Sequence, residues 1–354
     1  MKGNYRKLGD IVELIDERNK ALESSEVLGI SIDKEFMPSV ANTIGTDLSN
    51  YKLLRMNTFA CNPMHVGRDE RLPVSLYKKD VPAIVSPAYF MFRVKDENKV
   101  LPDFLMLIFK RDNFDRNCWF RTDGSVRGGI TWNDICEIEF PVPDLKEQEK
   151  IVNTYNAITK RIQLKQKINE NLEKTAQTIY RKMFVEDADE KWETVKLEKV
   201  IEVKYGKDHK NLEEGNIPVY GSGGIMRYAN KYLYDKESVM IPRKGSLNNI
   251  IYTDEPFWSV DTMFYTSMKK QNFAKYFYEF IRTKDFLNLD TGSAVPSMTT
   301  DYLNNIEILN PDNTTLEKFE SKVSRLYISK KNNYKEISKL QELKQLVISR
   351  ISGM

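Results

Sequence analysis

Two stretches of the chain carry apolar residues at a period of 3.5 over about five heptads. Residues 145–185 hold neither Gly nor Pro. One seam position there reads Ile151, Ile158, Lys165, Leu172, Ile179, and the other Tyr155, Ile162, Asn169, Ala176, Met183. Residues 313–353 repeat the pattern with Phe319, Leu326, Asn333, Leu340, Val347 and with Val323, Lys330, Ile337, Lys344, Ile351. The period predicts two long helices that pair with each other as a coiled coil, each about 60 Å long at 1.5 Å per residue. Ile151, Ile158, Ile162, Leu172 and Ile179 are the expected pairing residues of the first, and Leu326, Ile337, Leu340 and Val347 of the second. The polar seam residues Lys165, Asn169, Asn333 and Lys344 lower stability but fix register. Asp144 and Asp312 each follow a proline and are placed to cap the two helices.

The rest of the chain reads as two mixed α/β modules. Strand-like runs fall at 83–85, 89–94, 137–140, 217–220, 238–241, 250–252 and 306–309, and apolar helices at 102–114 and 272–287. The modules are related. Residues 124–143 align without gaps on 292–311, an offset of 168, with Thr131 on Thr299, Ile135 on Leu303, Ile138 on Ile306 and Phe140 on Ile308. The openings Leu8-Gly9-Asp10-Ile11-Val12 and Leu197-Glu198-Lys199-Val200-Ile201 also rhyme. The interiors, about 25–120 and 205–290, do not match. The expected organisation is a first module over 1–143, a helix over 144–189, a second module over 190–311 and a helix over 312–354: an α/β (α+β) chain with an antiparallel helix pair.

Length and composition narrow the class. The chain has 354 residues, 41% hydrophobic and 30% charged, with 16 Gly and 13 Pro, which is ordinary globular composition. The most apolar run, 84–92, is short and broken by Pro87, so no membrane span is expected. The first residues lack the apolar core of a secretory signal. Three widely spaced cysteines (Cys61, Cys118, Cys136) fit a reducing cytoplasm and argue against a disulfide framework or a zinc site. His65 and His209 have no metal-ligand pattern around them. The formal net charge is +3, so contact with nucleic acid has to come from local clusters rather than a global field.

Catalytic constellations are missing. Pro218-Val219-Tyr220-Gly221-Ser222-Gly223-Gly224 is Gly-rich, but no Walker loop exists and no acidic residue closes a following strand. Asn62-Pro63-Met64 lacks the second proline and the aromatic of an adenine methyltransferase loop. Asp144, Glu147 and Glu149 open a helix, where negative charge is favourable for dipole reasons alone. The plain reading of 220–224 is a turn that needs positive φ; the functional one is a loop approaching a DNA backbone.

Local basic clusters are the DNA-reading candidates. In the first module they are Arg68, Arg71, Lys78, Lys79 and the loop 119–129 with Arg121, Ser125 and Arg127. In the second they are Lys207, Lys210, Ser222, Arg227, Tyr228, Arg243, Lys244 and, in the repeated Gly-Ser loop, Ser293. Lys and Arg neutralise phosphates, and Arg can fork onto guanine O6/N7. The competing reading of each cluster is a solvated surface.

These residues resemble the specificity subunits of type I restriction–modification systems. The resemblance rests on the two module openings, the Pro218–Gly224 stretch, the paired Gly-Ser module ends, and Pro141-Val142-Pro143-Asp144-Leu145-Lys146-Glu147-Gln148-Glu149-Lys150-Ile151-Val152 leading into Lys167-Ile168-Asn169-Glu170-Asn171-Leu172-Glu173. It covers essentially the whole chain. It implies two target-recognition domains that each read one half of a split, asymmetric double-stranded DNA site, with the helices as spacer. It also implies two methylation subunits as partners and, in the full complex, motor-nuclease subunits that restrict DNA. The chain itself would be non-catalytic. S-adenosylmethionine for adenine methylation, and ATP and Mg2+ for the motors, would bind only the partners. The rival readings are a coiled-coil scaffold without DNA specificity and a catalytic DNA methyltransferase. Divergent interiors inside a repeated frame count against the first, and the absent motifs against the second.

Overall fold

The computed structural model describes residues 5–40, 45–64, 66–122, 128–286 and 298–351. The chain divides into two compact units, Met1–Leu164 with Glu336–Met354, and Lys165–Lys335. Compactness thus assigns part of each long helix to each module.

The first unit opens with β1 (Tyr5–Lys7), the one-turn helix α1 (Leu8–Ile11) and β2 (Val12–Ile15). Next come β3 (Val27–Ile30), β4 (Phe36–Pro38), β5 (Lys52–Leu54), β6 (Phe59–Cys61), α2 (Val66–Asp69), β7 (Val74–Leu76), β8 (Ala83–Val85) and β9 (Phe90–Val94). Helices α3 (Pro102–Phe109), α4 (Asp112–Phe120) and α5 (Trp132–Cys136), strand β10 (Glu139–Pro141) and the long helix α6 (Leu145–Arg181) follow. The strands form sheets β2-β9-β6-β7 and β4-β3-β8-β5, and a β1-β10 pair. Strands β6 and β8 are buried throughout, which explains their unbroken apolar runs. Seven of the eight residues of α3 are buried. Phe109 sets its edge against the stacked rings of Phe59 and Phe92.

One expected helix is two. The apolar segment 102–114 breaks at Arg111, whose backbone is extended (φ −82°, ψ 140°). The break lets α4 turn so that Phe114 packs on Phe109 at 4.8 Å while Asp115 reaches Lys34. That ion pair is buried: Lys34 Nζ lies 2.6 Å from Asp115 and donates to the Leu72 carbonyl at 2.9 Å. Burial pushes the Lys34 amine below its ordinary value, against the pull of Asp115.

The second unit contains β11 (Thr194–Lys196), α7 (Leu197–Val200), β12 (Ile201–Tyr205), β13 (Ile217–Gly221), β14 (Gly224–Ala229), β15 (Ser238–Pro242), β16 (Ile251–Thr253), β17 (Trp258–Ser259) and β18 (Met263–Met268). Helices α8 (Ala274–Ile281) and α9 (Thr300–Asn305), strand β19 (Glu307–Leu309) and helix α10 (Asn313–Arg350) complete it. The expected helix 272–287 is shorter: Asn272 has φ 54°, outside the helical region, and Ile281 is the last helical residue of α8. The sheets are β12-β18-β15-β16, β14-β13-β17 and β11-β19.

The two units share a folding pattern that their interior sequences hide. Sheet β2-β9-β6-β7 corresponds, strand for strand, to β12-β18-β15-β16. In the smaller sheets, β3 pairs antiparallel with β4 and parallel with β8, as β13 does with β14 and β17. The interiors differ in their residues, as expected, and share one topology. Short buried strands require only apolar residues that fit, and many sequences meet that requirement.

The repeated frame has a bond-by-bond explanation. Thr131 and Thr299, aligned by the repeat, cap α5 and α9 by accepting from the backbone N–H of Asp134 and Tyr302, each at 3.2 Å. Leu8 N–H donates to Ile138 O at 2.9 Å, and Leu197 N–H to Ile306 O at 2.9 Å. Asp144 and Asp312 cap α6 and α10, each accepting at 2.9 Å from the N–H three residues on.

In both units α6 and α10 pack together antiparallel. Within the first, Ile158, Ile162 and Ile337 form an apolar cluster with Leu340 and Val347, and Arg161 pairs with Glu336. Ile151 joins the module core instead, with Ile348 and Ile351. Within the second, Ile179 and Leu326 lie against the core built from Ala176, Tyr180, Phe319 and Val323, and Leu172 lies beside Ala176 and Leu326. Three of the four polar seam residues meet: Asn333 Nδ2 donates to Asn169 Oδ1 at 2.8 Å, and Lys165 Nζ to Asn333 Oδ1 at 2.9 Å, whereas Lys344 lies over the Tyr155 ring, 4.9 Å from its centroid. Among the described residues no helix is long and apolar enough to cross a membrane.

Candidate nucleic-acid interface

In the second unit, sheet pairing sets two loops side by side. Strands β13 and β14 are joined by a tight turn in which Gly224 takes φ 112°. The loop after β15 runs beside it. Gly245 takes φ 82°, a left-handed conformation that favours glycine, and a Cβ there would come within 2.8 Å of Ser222 Oγ. Asn249 Nδ2 donates to the Ser222 carbonyl at 2.8 Å and closes the contact.

Arg243 opens this loop with its backbone fixed on both sides. Its N–H donates to Thr262 O at 2.8 Å, and its carbonyl accepts from Met298 N–H at 2.9 Å. The guanidinium lies over the Tyr205 ring, 5.4 Å from its centroid, and Nη1 reaches Asp261 O at 3.4 Å. Tyr205 is braced by the buried ring of Phe264 at 5.0 Å. Lys244 beside it is exposed.

A second anchor holds the segment after β12. A Cβ on Gly206 would lie 2.0 Å from Val260 O, so only glycine fits there. Lys207 N–H donates to Ser259 O at 2.8 Å, and Trp258 Nε1 donates to Lys207 O at 3.0 Å. Arg227 ties the following loop: Nε donates to His209 Nδ1 at 3.2 Å, and Nη2 to the carbonyls of His209 and Leu212. Its guanidinium is therefore largely engaged in holding this loop. Lys210 N–H donates to the Asp208 carboxylate, which keeps that acid below its ordinary value. Tyr228 stands exposed on β14.

Ion pairing separates the two modules. Among the described residues, Lys207, Lys210, Arg243 and Lys244 pair with no carboxylate. In the first unit Arg68 is held by Asp69 at 2.6 Å, which raises its guanidinium above the ordinary value. Arg71 lies 3.7 Å from Asp33, Lys78 2.8 Å from Asp103, and Lys79 3.5 Å from Glu26. Arg121 donates to Asn117 at 3.3 Å, with Trp119 and Phe120 exposed nearby in sequence. Arg68 sits on α2, and the segment 63–67 is stitched to residues 128–130 by Gly67 N–H to Gly128 O at 3.0 Å and Ile130 N–H to Pro63 O at 3.1 Å. Lys78 and Lys79 lie elsewhere, lining a groove of about 370 Å³ with Lys110 and Tyr155. Ser125, Arg127 and Ser293 lie outside the described residues.

Ile130 and Met298 are a repeat pair, so their hydrogen-bond acceptors Pro63 and Arg243 occupy equivalent places. One structural position thus carries proline in one module and arginine in the other. Tyr205, Asn249 and Asp261 complete the second-module cluster. Sequence reasoning missed them because they reach Arg243 and Ser222 through sheet pairing, which leaves no local pattern.

Among the described residues no group of three or more His, Cys, Asp or Glu could hold a metal. Burial pushes the Cys61 thiol up to about 12, which suppresses its reactivity.

A family model, described as the type I restriction modification DNA specificity domain, matches residues 3–174 and 189–345. The chain belongs to that family. The two matches span the two modules. A specificity subunit of the type I restriction enzyme MjaIX from Methanocaldococcus jannaschii is 23% identical over 295 residues, covering 71% of this chain and 68% of that one. The HindI specificity subunit of Haemophilus influenzae is 28% identical over 111 residues, covering 30% of this chain and 24% of that one. A type I restriction–modification S subunit of M. genitalium, known as a crystal structure, shares the fold with a TM-score of 0.64 at 17% identity, over 99% of this chain and 96% of that one.

Proposed function

We propose that this member of the specificity family reads an asymmetric, bipartite double-stranded DNA site, one half per module, and directs adenine methylation and restriction carried out by partner subunits. The observation that carries the reading is one topology built twice with different side chains at equivalent loop positions, Pro63 against Arg243. A duplicated frame positions two readers, and unlike loops make the two half-sites unlike. In this reading the chain is non-catalytic. Two methylation subunits supply S-adenosylmethionine chemistry, and motor-nuclease subunits use ATP and Mg2+. Its place of action is the cytoplasm, where those partners and the DNA are.

The test is a modified-base map of a methylation-free host expressing this chain with its cognate methylation subunit, against each subunit alone. A split, asymmetric adenine motif that requires both proteins is the expected result. No motif from a soluble complex, with a methylation subunit proven active alongside another specificity chain, would defeat the reading.

A further inference from the structure

Resting on that reading, we propose that Arg243 reads a guanine in one half-site through its Nε–Nη2 edge, and that Tyr205 is the positioning residue that aims it. Three features together set Arg243 apart from the other candidate cations, of which Lys207 shares only the first. Its backbone is bonded on both sides, to Thr262 and Met298. Its guanidinium is stacked on an aromatic ring that is itself braced by the buried Phe264. Its Nη1 is turned to the Asp261 carbonyl. That last contact leaves Nε and Nη2, two parallel donors on one edge. This is the pattern that matches O6 and N7 of guanine in the major groove.

Phosphate binding needs only a mobile positive charge, and the exposed Lys244 and Lys207 supply that next to the same loop. Stacking and backbone anchoring are more than a phosphate contact requires. They lower the entropy lost when a fork is presented in one orientation. The Gly245–Ser222 approach fixes the adjoining turn. The first module has Pro63 at the equivalent place, so its half-site is read by other groups.

The experiment compares base maps of the complex with wild-type chain, Arg243→Ala, Arg243→Lys, Tyr205→Leu and Lys244→Ala, together with binding to duplexes altered at each motif position. Arg243→Ala is expected to relax one G·C position in one half of the motif, lowering discrimination there by about 5- to 150-fold, with the other half unchanged. Arg243→Lys keeps the charge and loses the fork, so it relaxes the same position; if the alanine variant does not fold, this variant decides. Tyr205→Leu weakens the same position in part. Lys244→Ala weakens all sequences evenly. An unchanged motif in both Arg243 variants, or a uniform loss across sequences like that of Lys244→Ala, would overturn the assignment. Absence of any motif with the wild-type chain would instead defeat the DNA-reading proposal itself and take the role of Arg243 with it.

Discussion

Gln148 is buried at the start of α6 and spends both amide donors and its amide oxygen on the first module. Its Nε2 donates to Lys99 O at 2.9 Å and Pro143 O at 2.8 Å, and its Oε1 accepts from Leu101 N–H at 2.9 Å. At the repeat position in α10 stands Leu316, equally buried but inside the apolar core of the second module. The same docking is therefore made by polar satisfaction in one unit and by hydrophobic packing in the other. Replacing Gln148 with Leu removes the partner from three part-buried backbone hydrogen bonds, and a group left unpaired away from water costs about 1–3 kcal/mol. Denaturant unfolding of Gln148→Leu should show a loss of about 3 kcal/mol; an unchanged midpoint would mean these bonds do not hold the helix in place.

The two long helices were legible as elements because a seam of period 3.5 survives any tertiary context, and the capping aspartates marked their starts. The polar seam was legible as residues, while its partnering was not. Asn169, Asn333 and Lys165 meet because antiparallel pairing brings them to one level. Asn169→Leu alone leaves the Asn333 amide buried without its acceptor and should destabilise the chain by about 1–3 kcal/mol. The double change Asn169→Leu with Asn333→Leu should recover most of that loss, since paired apolar replacement of a buried polar contact is close to neutral. Lys165 can then extend its amine to solvent. A double-mutant cycle that proves additive would refute this coupling. The helix broken at Arg111 shows the opposite case. Its apolar pattern was continuous, and the break is imposed by what Phe114 and Asp115 have to reach.

Across the whole molecule the near-neutral charge masks a contrast between the modules. Arg68, Arg71, Lys78 and Lys79 of the first unit pair with acids, whereas among the described residues the side chains of Lys207, Lys210 and Lys244 of the second pair with none. Binding to short duplexes should fall with salt along a linear log–log plot whose slope is about −0.9 per phosphate neutralised. Changing Lys207, Lys210 or Lys244 to alanine should each flatten the slope by about that amount. Arg68→Ala and Lys79→Ala should change it less, because each also releases an acid that repels the backbone. Equal effects in both groups would show that pairing in the free protein does not carry over to the complex.

What the sequence determined by itself is whatever repeats or has a local period: the long helices, their caps, the frame shared at an offset of 168, and the family those residues resemble. Propensity, capping and periodicity act over a few residues, so they remain visible in the chain. The tertiary structure decided the rest. It showed that unlike interiors follow one sheet order, that Pro63 and Arg243 stand in the same place, and that Tyr205 lies beneath Arg243. Those relations are made by pairing between strands far apart in sequence. Pairing constrains apolar fit and leaves residue identity free, which is why the shared pattern survives where the sequence match has gone.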